Sequence, residues 1–148
     1  MPDLHLDLTL RPVAPAAAAP LLAACELPID DLDAPALELV GAFAGDALLG
    51  VIGLERCGAG LGLLRSLAVA PTARARGIAG VLCGELIARA RRAELRELFL
   101  LTTTAADYFT RHGFARSERA AAPAAIRAHA QFTSLCPASA VLMRRDLA

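Results

Sequence analysis

The chain contains no lysine: all fifteen of its basic residues are arginine, and fifteen acidic residues balance them to a net charge of zero. Without lysine, every mechanism that needs a lysine amine is excluded, Schiff-base chemistry included. Without net charge, there is no long-range field to draw in nucleic acid or an anionic membrane. The abundant arginine and alanine point to GC-rich coding rather than to special chemistry. The four cysteines, Cys25, Cys57, Cys83 and Cys136, form no C-x-x-C pair, which argues against a zinc site or a disulfide framework and suits a reducing cytosol. No apolar run approaches the ~20 residues needed to span a bilayer. Asp3 and Asp7 precede the first apolar run with no basic segment, unlike a signal peptide. What is present is apolar: 148 residues, 56% hydrophobic, with a mean hydropathy of +0.50. The expectation is a soluble cytoplasmic single domain over residues 1–148 with a sizeable core, without metal, nucleic-acid or membrane partners.

The periodicities predict a mixed α/β sheet. "LHLDLTLRP" (Leu4 to Pro12) alternates as a half-buried strand ended by proline. The alanines from about Pro15 to Glu26 favour helix. "PIDDLDAPA" reads as a turn-rich acidic connector in which Asp30, Asp31 and Asp33 are solvated or cap a short helix. "LELVGAFAG" and "ALLGVIGLERC" are strands joined at Gly45-Asp46, a hairpin signal. "GAGLG" (Gly58 to Gly62) has dinucleotide-like glycine spacing, but it precedes a strand, "LLRSLAV", and so reads as a hairpin turn. From Gly77 to Arg92, Ile78, Val81, Leu82, Leu86 and Ile87 recur at helical steps. "LRELFLLTTT" is a buried central strand. "AADYFTRHGF" is a short helix stopped by Gly113. "APAAIRAHAQFTSL" is a further helix, and "ASAVLMRRDL" a final strand.

The stretch "VAPTARARGIAG" (Val69 to Gly80) carries a strand through a proline into a long helix. In that context the free amides of the first helical turn face an anion. Small residues at Gly77, Ala79 and Gly80 admit a ligand to the backbone, and Arg74 and Arg76 are placed to pair with phosphate oxygens. Geometry alone supports a pyrophosphate cradle without naming its ligand.

The same stretch resembles the cofactor motif of the GCN5-related N-acetyltransferases (GNAT), Arg/Gln-x-x-Gly-x-Gly/Ala, here Arg74-x-x-Gly77-x-Ala79. "ADYFTRHGF" is similar to the family's second hallmark, a short helix ending in Gly-Phe. The element order matches over nearly the full chain. The resemblance implies a mostly antiparallel sheet of about six to seven strands flanked by helices, with splayed central strands forming an acyl-CoA cleft. It implies acetyl-CoA as co-substrate and acetyl transfer to the amine of a small molecule, and makes a homodimer an ordinary expectation. Backbone groups of Leu67, Ala68 and Val69 would hold the pantetheine arm, and Arg74, Ala75, Arg76, Gly77, Ile78, Ala79 and Gly80 the pyrophosphate. The thioester would lie where the strands ending near Val69 and Thr102 separate. Ala75 departs from the glycine common in relatives. A closer resemblance, carried by "GLERCGAGLGLLRSLAV", "LFLLTTTAADYFTRHGF" and "APAAIRAHAQFTSLCPASAVLM", is to a branch associated with arsenic-resistance gene clusters. It implies an amino-acid-like acceptor, arsenical analogues included.

Amine acetylation needs a free amine, a polarised thioester carbonyl and a proton for the leaving thiolate. Many relatives use a tyrosine four residues before the glycine of the Gly-Phe pair; here that position is Phe109, and the only tyrosine is Tyr108. The proton donor is Tyr108, or else solvent or substrate. Glu55 is either the base or the partner of a nearby arginine. Arg65, inside an apolar strand, is costly to bury unpaired and is the candidate for gripping a substrate carboxylate or oxyanion. Ser66 faces away, as packing or as a backbone partner. Of Thr102, Thr103 and Thr104, one contacts ligand, with Thr103 taken for the substrate, or Thr104 caps a helix. Arg127, Gln131 and Cys136 lie where they close over the acceptor. Two other functions are a catalytically silent acyl-CoA sensor and an arsenite binder using Cys57 and Cys136; the ordinary role of such cysteines is small hydrophobe.

Overall fold

In the computed structural model, residues 7–136 and 138–147 are described. They form one seven-stranded sheet in the order β1-β2-β3-β4-β5-β7-β6. The strands are β1 (Thr9–Pro12), β2 (Leu37–Ala44), β3 (Ala47–Gly58), β4 (Leu61–Val69), β5 (Glu97–Thr102), β6 (Ala115–Arg116) and β7 (Val141–Asp146). Helices α1 (Pro15–Ala24), α2 (Ile78–Arg92), α3 (Ala106–Thr110) and α4 (Ala124–Arg127) connect them. Every neighbouring pair is antiparallel except β4 and β5. The early part of the "LHLDLTLRP" run lies outside the described residues.

Strand alternation sorts the core to two faces. Val40, Ala42, Ile52, Leu54 and Leu64 pack with Ile78, Leu82, Leu86 and Ala90 of α2, and with Phe109 of α3. On the opposite face, Leu39, Phe43 and Val51 meet Ala18 and Leu22 of α1, while Leu61, Leu63, Phe99 and Leu142 meet Ile126 of α4. The α2 stripe is as its periodicity predicts except at Val81, which is 45% exposed. The long helix expected over "APAAIRAHAQFTSL" is broken: α4 ends at Arg127, and a single π-helical turn spans Gln131–Leu135.

Two backbone features open the sheet. β4 and β5 pair only at Leu61↔Glu97, Gly62↔Leu98 and Leu63↔Phe99, after which the two parallel strands part. On the other edge of β4 the register runs from Gly53↔Arg65 to Val51↔Ala68, so three steps of β4 span two of β3. The extra residue is a bulge with Ser66 at φ 60°, and a bulge bends the strand that carries it. The parted strands and the bend coincide, and the cleft lies there.

Candidate active site

The cleft holds about 1110 Å³. At one end is the start of α2. Gly77 is the N-cap at φ 80°, ψ 8°, no side chain caps the helix, and the first turn has no acidic residue. The N–H groups of Ile78, Ala79 and Gly80 precede the first intrahelical bond, Val81 N to Gly77 O, and are left for a ligand. Ala75 at φ 65° and Gly77 bracket the turn, and no atom lies within 4 Å of where a Gly77 Cβ would stand. Three arginines in the last turn, Arg89, Arg91 and Arg92, complement the other end of the helix dipole. The residues present therefore fit a diphosphate: free amides, a positive helix end and an open approach.

All the residues expected to hold the cofactor line this cleft except Arg76, which is not among its lining residues and has an interaction of its own. Arg74 is exposed, and its guanidinium lies over the strand: Nε donates to the Val69 carbonyl at 3.1 Å and Nη2 reaches Cys25 Sγ at 3.5 Å. Val69 O, one of the backbone acceptors expected to meet the pantetheine arm, is thus covered by Arg74. Tyr108 lines the cleft and Phe109 is buried in the α2 face of the core. Burial raises the Tyr108 phenol above its usual value, assisted by the neighbouring Cys83 thiol, so the hydroxyl keeps its proton at neutral pH. Its oxygen is directed at the first turn of α2, 3.9 Å from where a Cβ on Gly80 would stand.

At the other end of the cleft, Arg65 is 4% exposed, the deepest charged side chain among the described residues. It is not free to grip a ligand as the sequence suggested. Nη1 donates to Asp31 Oδ2 at 2.7 Å and to Glu55 Oε1 at 2.9 Å, Nη2 to Asp31 Oδ1 at 2.5 Å, and Nε to Ser66 Oγ at 3.1 Å. Four of the five guanidinium N–H donors are committed. Register explains half of this: Glu55 opposes Leu63 and Arg65 opposes Gly53, making the two charges diagonal neighbours on one face. Asp31 arrives from the loop after α1, the segment read from sequence as a solvated connector. That reading is corrected: a carboxylate from the connector pairs with a buried guanidinium. Ser66, read as packing or a backbone partner, accepts from Arg65 Nε through its side chain instead.

His129 completes the cluster. The backbone N–H of Gln131 donates to its Nδ1 at 2.9 Å, and its Nε2 is 2.9 Å from Glu55 Oε1. A backbone N–H can only donate, so Nδ1 holds the lone pair and Nε2 is the donor to Glu55. The His129 side chain is only 11% exposed. Asp31, Glu55 and His129 bring ligand atoms within 4.8 Å of one another, but the Arg65 guanidinium bonds both carboxylates, which disfavours a cation there. Burial acts to raise the Asp31 carboxyl, and the Arg65 guanidinium overrides it, holding Asp31 below the usual range. Burial likewise opposes ionisation of Glu55, and the His129 and Arg65 hydrogen bonds win. Of the two sequence readings of Glu55, the structure shows the ion pair; Glu55 is not among the residues lining the cleft.

Thr103, Gln131 and Cys136 line the cleft. No side chain caps α3, so Thr104 does not have that role; Thr102 Oγ1 accepts from Ala105 N at 3.0 Å, just ahead of the helix. Arg127 is exposed and outside the cleft. Gln131 is 7% exposed; its carboxamide oxygen accepts from Cys136 Sγ at 3.3 Å. Burial raises the Cys136 thiol. Cys57 packs beneath α4 beside Leu63 and Phe99, its thiol 3.6 Å from Glu55 O and raised to about 11 by burial and the Glu55 charge. Each thiol has its own partner and both are held protonated, the poorer state for binding a soft metalloid.

The family model described as acetyltransferase (GNAT) family matches residues 8–114. No curated protein matches the chain. Among solved structures, the fold is similar to that of N-acetylglutamate synthase from Neisseria gonorrhoeae complexed with coenzyme A and N-acetyl-glutamate, at 20% identity and TM-score 0.77 over 95% of this chain. The chain spans about a third of that protein, 35% of its length. It is also similar to Rv2747 from Mycobacterium tuberculosis in complex with CoA and NLQ, with 22% identity, TM-score 0.76 and coverage of 95% and 99% of the two chains. An acetyltransferase of the GNAT family from Staphylococcus aureus Mu50 matches at 16% identity and TM-score 0.76, over 95% and 99% of the two chains. With the parted strands, the uncapped helix and a family model covering most of its length, the chain belongs to the GNAT family of acetyltransferases.

Proposed function

We propose that the protein transfers the acetyl group of acetyl-CoA to the primary amine of a small molecule bound at the Arg65 end of the cleft. The observation that carries this reading is one continuous cleft joining an uncapped helix N-terminus, through parted parallel strands, to a pocket walled by polar side chains. Acetyl-CoA would supply an activated acyl group. The amides of Ile78, Ala79 and Gly80 bind its diphosphate, with Arg74 leaving Val69 O to join them. Leu67 to Val69 offer strand edge to the pantetheine arm, because β5 has already turned away. Tyr108, protonated and lining the cleft, is the donor for the departing thiolate. Glu55 acts through Arg65 as a positioning residue rather than as base, and solvent takes the ammonium proton.

An amino-acid-like acceptor, the finer reading of the sequence, draws support from similar structures that hold N-acetyl-glutamate and L-arginine. A tie to arsenic resistance rests on the sequence resemblance alone. The test is release of CoA thiol from acetyl-CoA across a panel of amino acids, arsenical and phosphinate analogues, polyamines and a lysine peptide, with Tyr108→Phe alongside. Turnover with one amine, and a kcat reduced about 10²-fold in the variant without change in acetyl-CoA affinity, is expected. Acetyl-CoA binding with no turnover of any amine would replace this reading with the silent sensor.

A further inference from the structure

At the Arg65 end of the cleft, few donors are both fixed in place and unspent. Four of the five Arg65 N–H groups are committed to Asp31, Glu55 and Ser66. Thr103 also lines the cleft, but it is exposed. The Gln131 carboxamide differs from both: it lines the cleft although the residue is only 7% exposed. Its oxygen accepts from Cys136 Sγ at 3.3 Å, and its nitrogen has no partner among the described residues. Among those residues the one fully sealed side-chain nitrogen or oxygen without a partner is Arg145 Nε, so the Gln131 nitrogen opens onto the cleft. A carboxamide nitrogen carries two donors and no acceptor, and shielding them from water without a partner is costly. It calls for an acceptor from the ligand.

The local backbone holds that carboxamide in one orientation. In an α-helix, residue i+5 stands about 140° round the axis from residue i. The π-helical turn brings the two into line: Cys136 N donates to Gln131 O at 3.1 Å, and the Cys136 thiol meets the Gln131 carboxamide. Burial raises the Cys136 thiol, which keeps the S–H as a donor and turns the carboxamide oxygen, not its nitrogen, toward sulfur. The Gln131 backbone is fixed as well. Its N–H is bound to His129 Nδ1, and His129 Nε2 is bound to the same Glu55 that holds Arg65. Single π turns recur at functional sites, and this one aims a buried donor into a cleft. We propose that Gln131 is the specificity-determining donor of the acceptor site, its amide N–H binding a carbonyl or carboxylate oxygen of the acceptor amine, with Cys136 and His129 as positioning residues. This inference rests on the acetyltransferase reading and deepens it.

In the CoA-thiol assay, the fastest carboxylate-bearing amine of the panel is set against two analogues of its own shape: its carboxamide, and the amine with isopropyl in place of the carboxylate. The kcat/KM ratio of each oxygen-bearing amine to the isopropyl amine is measured in the wild type and in Gln131→Met, whose side chain has similar length and no donor. Comparing ratios cancels the differing basicity of the three amines. The variant is expected to lower the ratio about 3- to 10-fold for the carboxamide and about 10- to 100-fold for the carboxylate, the ranges for a lost neutral and a lost charge-assisted hydrogen bond. A variant that is merely destabilised slows all three amines alike and leaves the ratio unmoved. Cys136→Ala is expected to lower it about 2- to 5-fold by releasing the carboxamide, and Cys136→Ser, whose hydroxyl donates, to restore it. An unchanged ratio in Gln131→Met overturns the inference while the acetyltransferase reading stands. Should that variant fail to fold, equal ratios in the wild type, Cys136→Ala and Cys136→Ser overturn it instead. A polyamine outrunning every oxygen-bearing amine in the wild type overturns it too. No turnover of any amine sinks the acetyltransferase reading, and this inference with it.

Discussion

At Gly77 the backbone turns at φ 80° to aim three amides into the cleft, and the Cα faces open space. A side chain there would stand where the cofactor's phosphates approach, and a carboxylate would also set like charge against them. Gly77→Glu is therefore expected to weaken acetyl-CoA binding at least about 100-fold by calorimetry, combining the lost approach with charge repulsion. The backbone cost of leaving glycine at positive φ is about 1 kcal/mol, so the far-ultraviolet circular dichroism should be unchanged. Undiminished affinity would remove the diphosphate from this turn. Arg65 shows the converse case, a residue whose chemistry is consumed by its neighbours. Arg65→Met would leave Asp31 and Glu55 facing each other without their cation, an expected loss of about 2–4 kcal/mol in urea unfolding, moderated because Asp31 is partly exposed.

The glycine of the Gly-Phe pair has a structural reason at the level of the element. Gly113 ends the α3 segment at φ 88°, and a Cβ there would collide with the Arg145 guanidinium, which donates to the His112 carbonyl. This contact ties α3 to β7, so the short helix that presents Tyr108 is held from its far end. Gly113→Ala is expected to destabilise by about 1–3 kcal/mol through strain and displacement of Arg145, and to raise KM for acetyl-CoA if Tyr108 moves with it. α2 shows a similar turn with an acidic residue in glycine's place: Glu94 at φ 62° follows the helix, its N–H donating to Arg91 O and that of Leu95 to Ala90 O. That is the hydrogen-bond pattern of a Schellman ending. Because a glutamate at the helix C-terminus is disfavoured by both conformation and dipole, Glu94→Gly should raise thermal stability, by about 0.5–1 kcal/mol.

Over the whole molecule, the Asp31–Arg65–Glu55–His129 cluster joins the connector after α1, the central strands and the C-terminal segment on one face of the sheet. Both carboxyls titrate below their ordinary values when folded. The sign follows: their contribution is complete above the unfolded values of about 3.9 and 4.3 and is lost as pH falls through the lower folded values. Thermal unfolding followed from pH 7 to pH 3 should show a stability loss that steepens below about pH 4. Asp31→Asn should flatten that loss. An unchanged pH profile in the variant would mean that the pair does not report on folding.

The helical and strand periods, the hairpin at Gly45-Asp46 and the strand-to-helix turn at Arg74 to Gly80 were legible because each is a local rule acting over a few neighbouring residues. The cofactor end of the site was legible for the same reason: its donors are successive amides of one turn. The acceptor end was not, since it is assembled from the loop after α1, β3, β4 and the segment after α4, and no spacing in the chain links Asp31 to Arg65 or His129 to Glu55. Burial of Arg65 demanded a partner, which the apolar pattern around it already implied; which carboxylate would arrive was decided by the packing of α1 against the sheet. The break between α4 and the π-helical turn was equally hidden, because the alanine-rich pattern satisfies a continuous helix and only the tie of Gln131 N to His129, itself held by Glu55, favours another path. Sequence alone determined the family, the sheet and the turn whose free amides open α2. Tertiary structure decided which groups Arg65 meets, because Asp31, Glu55 and His129 come together only when the chain is folded.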